Sequence, residues 1–348
     1  MDFGTWIGFI VFFVALYVLW QIKQLLLLIF TAVVIATSLN VLVKSFCRRG
    51  LKRVYGVLLS ILLLLSVISG FFWIIVPSFI NQFQELAQLI PQGIEKLNSW
   101  LDFILIRLDP EIINYLPTRE ELAEQLQPLL ENLLGGGLSF FYGSLGVLLS
   151  TLLLLVITFM MLGNPTPYRQ GFVRLFPAFY RRRVDDILDL CEIALQGWLV
   201  GILFNMCIIA ILSFIGLSIL GIPLALAQAV LAGILTFIPN VGPFISVLSP
   251  MAIALLDAPW KSLAVLIFYI LIQQIEGNFL TPFVMEKQVS LLPAIALLSQ
   301  IFFATFFGFL GLFLALPLTI VGQVWFKEVV VKDILDPWNK AQDNLQNY

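Results

Sequence analysis

"FIPNVGPF", residues 237–244, decides how this chain is read, because it sets two prolines, a glycine and an asparagine inside an apolar run from 224 to 256. In hydrocarbon an unpaired backbone amide or carbonyl costs several kcal/mol. Irregular backbone is tolerated there only where protein encloses it or where it lines a watery cavity. Pro239 and Pro243 lack an N–H, and Gly242 accepts backbone angles that other residues avoid. The run therefore reads as two half-helices of about 15 residues joined by an unwound "PNVGP". Half-helix ends aim partial charges at whatever occupies such a break, and Asn240 adds an amide that both donates and accepts.

Composition places this run in a membrane. Of 348 residues 60% are hydrophobic and 11% charged, and the mean hydropathy of +1.01 leaves too little polar surface for water. Apolar stretches that suit roughly 30 Å of hydrocarbon occupy 3–21, 25–43, 54–76, 138–162 and 193–220. Interrupted ones follow at 224–256 and 291–326, with a shorter one at 263–275. None alternates in the manner of an outer-membrane strand. The expected fold is all-α and membrane-embedded, with about eight hydrophobic segments, two of them broken or re-entrant in the C-terminal half.

The chemistry of several protein classes is missing from the sequence. Cys47, Cys191 and Cys207 form no CxxC pair, and there is no histidine, which removes the commonest metal ligand and proton shuttle. No GxxxxGK[ST] phosphate loop and no nucleophile–base pair occurs. The expectation is no enzyme, no metal, no cofactor and no nucleic-acid partner. Any solute movement would run on gradients or with a partner.

Basic residues set the orientation. "KSFCRRGLKR" at 44–53 carries five bases and no acid, and Arg169, Arg174 and "RRR" at 181–183 follow the fourth apolar stretch, so both loops are expected on the cytoplasmic side. Residues 77–137 hold nine acids against three bases, a net charge of −6, and are expected outside. Within them Phe79, Phe83, Leu86 and Ile90, then Ile94 to Leu108, then Leu122 to Leu133 repeat at helical spacing, and Thr118 with Glu121 fits a capping box. They read as amphipathic helices that lie on the membrane or lid the bundle, or else as an oligomer contact or vestibule. "RRRVDD" reads as a topogenic, lipid-facing stretch. Met1 to Thr5 contain no base, so no signal-peptide start is written there. The chain divides into N-terminal spans (1–76), the acidic insert (77–137), a span with its basic loop (138–190), a C-terminal transport core (191–326) and a cytoplasmic tail (327–348).

A second interruption matches the first. After Pro293 an apolar run breaks at Gly308 and Gly311 and again at Pro317, and setting Pro223 over Pro293 brings "PNVGP" close to "GFLG". Paired interrupted segments point to a transport site; two kinked helices packed through small residues are the plainer alternative. If both runs cross fully, the loops at 257–261 and 276–287 face in and out respectively; if each is a hairpin the two loops exchange sides. The hairpin arrangement, as in an elevator-like carrier, is favoured. Both place the two termini inside.

Between the breaks lies "QQIEGNFLTP", 273–282. From Trp198 to Phe326 the only ionisable acids and bases are Asp257, Lys261, Glu276, Glu286 and Lys287. Gln273, Gln274, Asn278 and Thr281 surround Glu276 with amides and oxygens at the end of an apolar helix, which suits a cation or proton site or a gate. A glutamate that simply ends the helix at the headgroups is the alternative. Gln196, Asn205 and Gln228 are secondary polar candidates within spans, more in keeping with interhelical hydrogen bonds, and Asp257 is a further one.

"GIPLALAQAVLAGILTFIPNVGPF", "QQIEGNFLTPFVM" and "FGFLGLFLALPL" together resemble the C-terminal signature of the AI-2E family, the PerM-like permeases. The resemblance is close over 193–323 and weak in the N-terminal half. It implies an inner-membrane protein of about eight spans, homo-oligomeric, whose members are linked to export of autoinducer-2 and to sodium or lithium exchange for protons. Carried over by position, it covers Pro239, Asn240, Gly242 and Pro243; Glu276, Asn278 and Pro282; and Gly308, Gly311 and Pro317. The chain departs from the family at Glu286 and Lys287, where many members have a glycine with basic neighbours, and at Leu292, where a histidine is frequent. The function expected is gradient-coupled alternating access for a small solute, with monovalent cation/proton antiport preferred. Export of a small polar signal and a non-transporting scaffold are the alternatives.

Overall fold

The computed structural model describes residues 3–70, 73, 145–239, 241–280 and 292–336. The acidic insert at 77–137, Asn240, Thr281, Pro282, Glu286 and Lys287 lie outside the described residues. Among the described residues all regular structure is helical.

Helices α1 (Phe3–Gln21) and α2 (Lys23–Arg48) are separated by Ile22 alone. Ile22 N–H donates to Val18 O at 3.0 Å and Leu26 N–H to Ile22 O at 3.1 Å, so helical bonding carries across the junction. The first two apolar stretches are joined by continuing helical bonding instead of a reversing loop. "WQIKQ" offers no glycine, proline or asparagine with which to turn. Helix α3 (Arg53–Gly70) follows, then α4 (Leu145–Gly163) and α5 (Pro165–Arg174), bent by 92° to one another. Helix α6 (Arg181–Ile219) has 39 residues, about 58 Å at 1.5 Å each, so its charged first turns stand clear of any hydrocarbon layer that its apolar part crosses. Helices α7 (Ala225–Leu235), α8 (Val241–Asp257) and α9 (Pro259–Ile275) come next; a π-helical turn Glu276–Leu280 extends α9. Helix α10 (Pro293–Trp325) runs into the π-helical segment Phe326–Leu335. By length and composition alone five helical runs suit a membrane crossing, one of them the Ala294–Leu335 run that is interrupted at Gly308, and the α4–α5 pair makes a sixth if counted as one span.

Both broken runs are hairpins. Gln228 Nε2 donates to Ser249 Oγ at 2.9 Å, joining a residue near the start of α7 to one well along α8, which requires the two helices to fold back on each other. The described residues 236–239 are outside any helix, whereas Gly242 and Pro243 of "PNVGP" belong to the first turn of α8. Proline is tolerated there because a first-turn amide has no intrahelical acceptor. Short bonds close the break, Phe237 N–H to Ile234 O and Ile238 N–H to Leu235 O at 3.0 Å, and Gly242 N–H to Ile238 O at 2.8 Å. The backbone freed by the break is thus partnered inside the turn, as membrane depth demands.

In α10 the reversal occurs at Gly308, whose φ of 68° and ψ of −150° are closed to side chains. A methyl group on Gly311 would collide with the Phe303 carbonyl, eight positions back and about 12 Å away in a straight helix. Lys23 caps this tip: its Nζ donates to Phe306 O at 3.0 Å and sits 4.2 Å from the Trp20 ring centroid. Lys23→Met is expected to lower stability by about 1 kcal/mol, read as a drop of a few degrees in the unfolding temperature in detergent. An unchanged temperature would mean that water serves the carbonyl equally well.

The chain falls into two compact units. One holds the described residues of Met1–Leu65, Leu149–Ile202 and Pro282–Tyr348, the other those of Ser66–Leu148 and Leu203–Thr281. The division runs through α6 and puts one hairpin in each unit. In the first unit Ala36, Leu39, Val43, Val57 and Leu162 form a buried cluster. "RRRVDD" is tied into this unit through Arg183. Arg183 bonds Glu328 at 2.8 Å and Asp333 at 3.0 Å, and Tyr180 donates to Asp333 at 2.6 Å. That bond raises the phenol's pKa above its ordinary value, so Tyr180 stays protonated as a donor must. In the second unit the core joins α6, α7, α8 and α9 through Ile209, Leu217, Ala232, Val247, Val265 and Ile272. Small residues allow close approach: a methyl group on Gly233 would lie 2.7 Å from the Met206 carbonyl, and one on Gly216 would overlap the Phe268 ring.

Candidate functional site: a buried carboxylate held by amides

Glu276 begins the π-helical turn that extends α9, so the helix does not stop at this residue. The whole segment from Pro259 to Leu280 is a 22-residue apolar span with the acid inside it. π-Helical turns frequently mark functional positions. Tyr269, Ile272 and Glu276 share the buried face of this segment, and Glu276 is 9% exposed. Asn205, in the middle of α6, donates from Nδ2 to Glu276 Oε1 at 2.7 Å, and Gln273 donates from Nε2 to Oε2 at 3.1 Å. Each carboxylate oxygen thus has one amide donor. No cation pairs with the carboxylate among the described residues. Asn205 Oδ1 is buried beside it without a hydrogen-bond partner among the described residues. Carboxylate and amide oxygen together make an oxygen-rich point inside an apolar core.

The other residues of the "QQIEGN" cluster point elsewhere. Gln274 and Asn278 are exposed and bond one another at 3.1 Å on the opposite face. Pro239 is half-buried and Gly242 and Pro243 are buried at the first hairpin, where they shape the turn. Gly308 and Gly311 do the same for the second, and Pro317 lies within its second arm. Asp257 pairs with Lys261 at the exposed α8–α9 corner. Gln196 bonds Glu192 at 2.9 Å one turn away. Gln228 holds its hairpin together. Of the secondary candidates, Asn205 alone reaches the acid.

Sequence reading missed Gln300. It is 3% exposed in the first arm of α10, and its Nε2 has no partner among the described residues. A signal was present: Gln300 precedes Gly308 by the same eight positions that separate Gln228 from Thr236, where the other break begins.

A carboxylate embedded in an apolar span and paired hairpins of broken helices are features of membrane transporters. The family model described as AI-2E family transporter matches residues 7–331. The chain belongs to the AI-2E transporter family, as a multi-pass helical membrane protein and not an enzyme. It is similar to "AI-2 transport protein TqsA" of Escherichia coli, 27% identical over 301 residues that cover 84% of this chain and 83% of the relative. It is also similar to "Putative transport protein YhhT" of the same species, 25% identical over 318 residues covering 88% and 84%. "Putative transport protein YueF" of Bacillus subtilis is 26% identical over 274 residues, covering 78% and 71%.

Proposed function

We propose that this chain works by gradient-coupled alternating access and exchanges a monovalent cation for a proton across the inner membrane, both termini facing the cytoplasm. The observation that carries this reading is the Glu276–Asn205–Gln273 cluster. An exchanger needs one group at which proton and ion compete. A carboxylate without a fixed counter-ion can hold either, and the buried Asn205 Oδ1 offers a second oxygen to the ion. When the carboxyl is protonated, one of its oxygens becomes a donor, and rotation of the neighbouring amide presents an acceptor. The break at 236–239 supplies the irregular backbone that transporters place at their sites.

The test is proton movement in sealed vesicles that hold the purified protein under an imposed pH gradient. Collapse of the gradient on adding sodium or lithium, absent from protein-free vesicles, is the expected result. No collapse with sodium, lithium or potassium, from protein that elutes as a folded species, would rule out monovalent cation exchange. A second reading, efflux of a small polar organic signal, is favoured by the likeness to TqsA, whose name assigns it AI-2 transport. Uptake of that solute into inverted vesicles, with no cation-driven proton flux, would select it.

A further inference from the structure

A cavity of about 670 Å³ opens in the first unit between α2, α3, α5 and α6. Lys44, Arg53, Arg169, Arg174, Arg181 and Arg182 line it, against two lining acids, Asp185 and Glu192. The acids are already engaged: Lys44 pairs with Glu192 at 3.2 Å, and Arg169 with Asp185 at 2.6 Å. Asp189 also binds Arg169, whose guanidinium is held above its ordinary pKa mainly by that bond. Arg53 donates to the Leu162 and Gly163 carbonyls at the end of α4, and Arg181 to Phe176 O and Arg174 O. These bonds to neutral groups leave both charges uncompensated. Arg174 and Arg182 make no side-chain hydrogen bond or ion pair among the described residues. Four positive charges therefore face one cavity with no anion assigned to them, and like charges so gathered repel one another unless an anion joins them.

The surroundings indicate the source of that anion. Helix α5 turns 92° away from the apolar α4, the geometry of a helix lying along the membrane surface. Just beyond it Leu175 is 79% and Phe179 88% exposed, in position to enter the headgroup layer. Phe172 and Phe176 instead pack on Trp325, with ring centroids 6.4 and 5.8 Å away. Apolar side chains for the bilayer and unpaired arginines for a phosphate thus lie along the same short segment.

We propose that this cavity binds the phosphate of an anionic phospholipid headgroup. Arg174 and Arg182 supply the principal charge-assisted donors, and Leu175 and Phe179 hold the acyl boundary. The basic stretches at 44–53 and 169–183 are then a lipid site as well as an orientation signal.

Native mass spectrometry of the purified chain in uncharged detergent tests this, with phosphatidylglycerol, phosphatidylcholine or inorganic phosphate as the added probe. Retention of phosphatidylglycerol over phosphatidylcholine is expected. It should fall about fivefold for each arginine removed in Arg174→Gln and Arg182→Gln and be largely kept in Arg174→Lys with Arg182→Lys. For the native chain, where no variant needs to fold, the preference should weaken as ionic strength rises. Equal retention of the two lipids, a preference insensitive to salt, or one unchanged in the glutamine variants would each overturn the proposal. Inorganic phosphate that displaces phosphatidylglycerol at millimolar concentration would overturn the lipid source and leave a free-anion site.

Discussion

Glu276→Gln is expected to reduce cation-dependent proton movement in vesicles to the level of protein-free controls, with the folded protein recovered in normal yield. The amide is nearly isosteric with the carboxyl group and can still accept from Asn205 Nδ2 through its one carbonyl oxygen. It cannot take up or release a proton. The substitution therefore removes the chemistry while sparing most of the packing around a residue that is 9% exposed. Glu276→Asp separates charge from reach: it keeps the carboxylate but withdraws it by one methylene from a donor now at 2.7 Å, so partial activity is expected. Asn205→Leu removes the shorter of the two amide bonds and the unpartnered Oδ1 together. A hydrogen bond to a charged group is worth roughly 1.5–3 kcal/mol, so the rate with a limiting cation should fall at least about tenfold. Combined with Glu276→Asp, which keeps partial activity, Asn205→Leu should cost less than the product of the two separate losses, because residues that act as one unit are not additive. Full activity of Glu276→Gln would detach the acid from transport, and independent effects of the two substitutions would detach Asn205 from the acid.

How much of this was open to sequence reading follows the range of the interactions. The two breaks were legible because proline and glycine act on their own backbone: "FIPNVGPF" located the first turn to within a few residues, and "GFLG" the second. Glu276 was legible as the rare acid of an apolar region. Its partner was less so, since Asn205 lies 71 positions away on a helix where a lone amide has no spacing to mark it. The same distance hid the role of "RRRVDD", whose Arg183 meets Glu328 across 145 positions. The continuity across Ile22 was missed for a different reason. A hydropathy window splits an apolar run at its polar residues, Gln21, Lys23 and Gln24, whereas the backbone needs a turn residue before it reverses. Lys23 interrupts the pattern because it caps the tip of the second hairpin.

Gly242→Ala is expected to prevent folding of the first hairpin, and this one methyl group tests the hairpin more sharply than any deletion. The backbone at Gly242 is not in the left-handed region, so the demand for glycine comes from close approach and not from φ. A Cβ there would overlap the carbonyl oxygen of Leu235, with Leu235 C and Thr236 N behind it. These are main-chain atoms, unable to rotate aside as a side chain would. They are also fixed by function in the turn: Leu235 O accepts from Ile238 N–H at 3.0 Å, so moving it would free a polar group at membrane depth. Overpacking usually costs about 1–3 kcal/mol where side chains can yield. Here the neighbours are backbone, so the cost should exceed that range and appear as loss of purified, monodisperse protein or a collapse in unfolding temperature. Gly277→Ala is the matched control: a methyl group there meets nothing within 4 Å, and stability should change by less than about 0.5 kcal/mol. If Gly242→Ala folds as well as Gly277→Ala, the α7–α8 turn is not the close reversal described, and the break at 236–239 loses its physical basis as a built site.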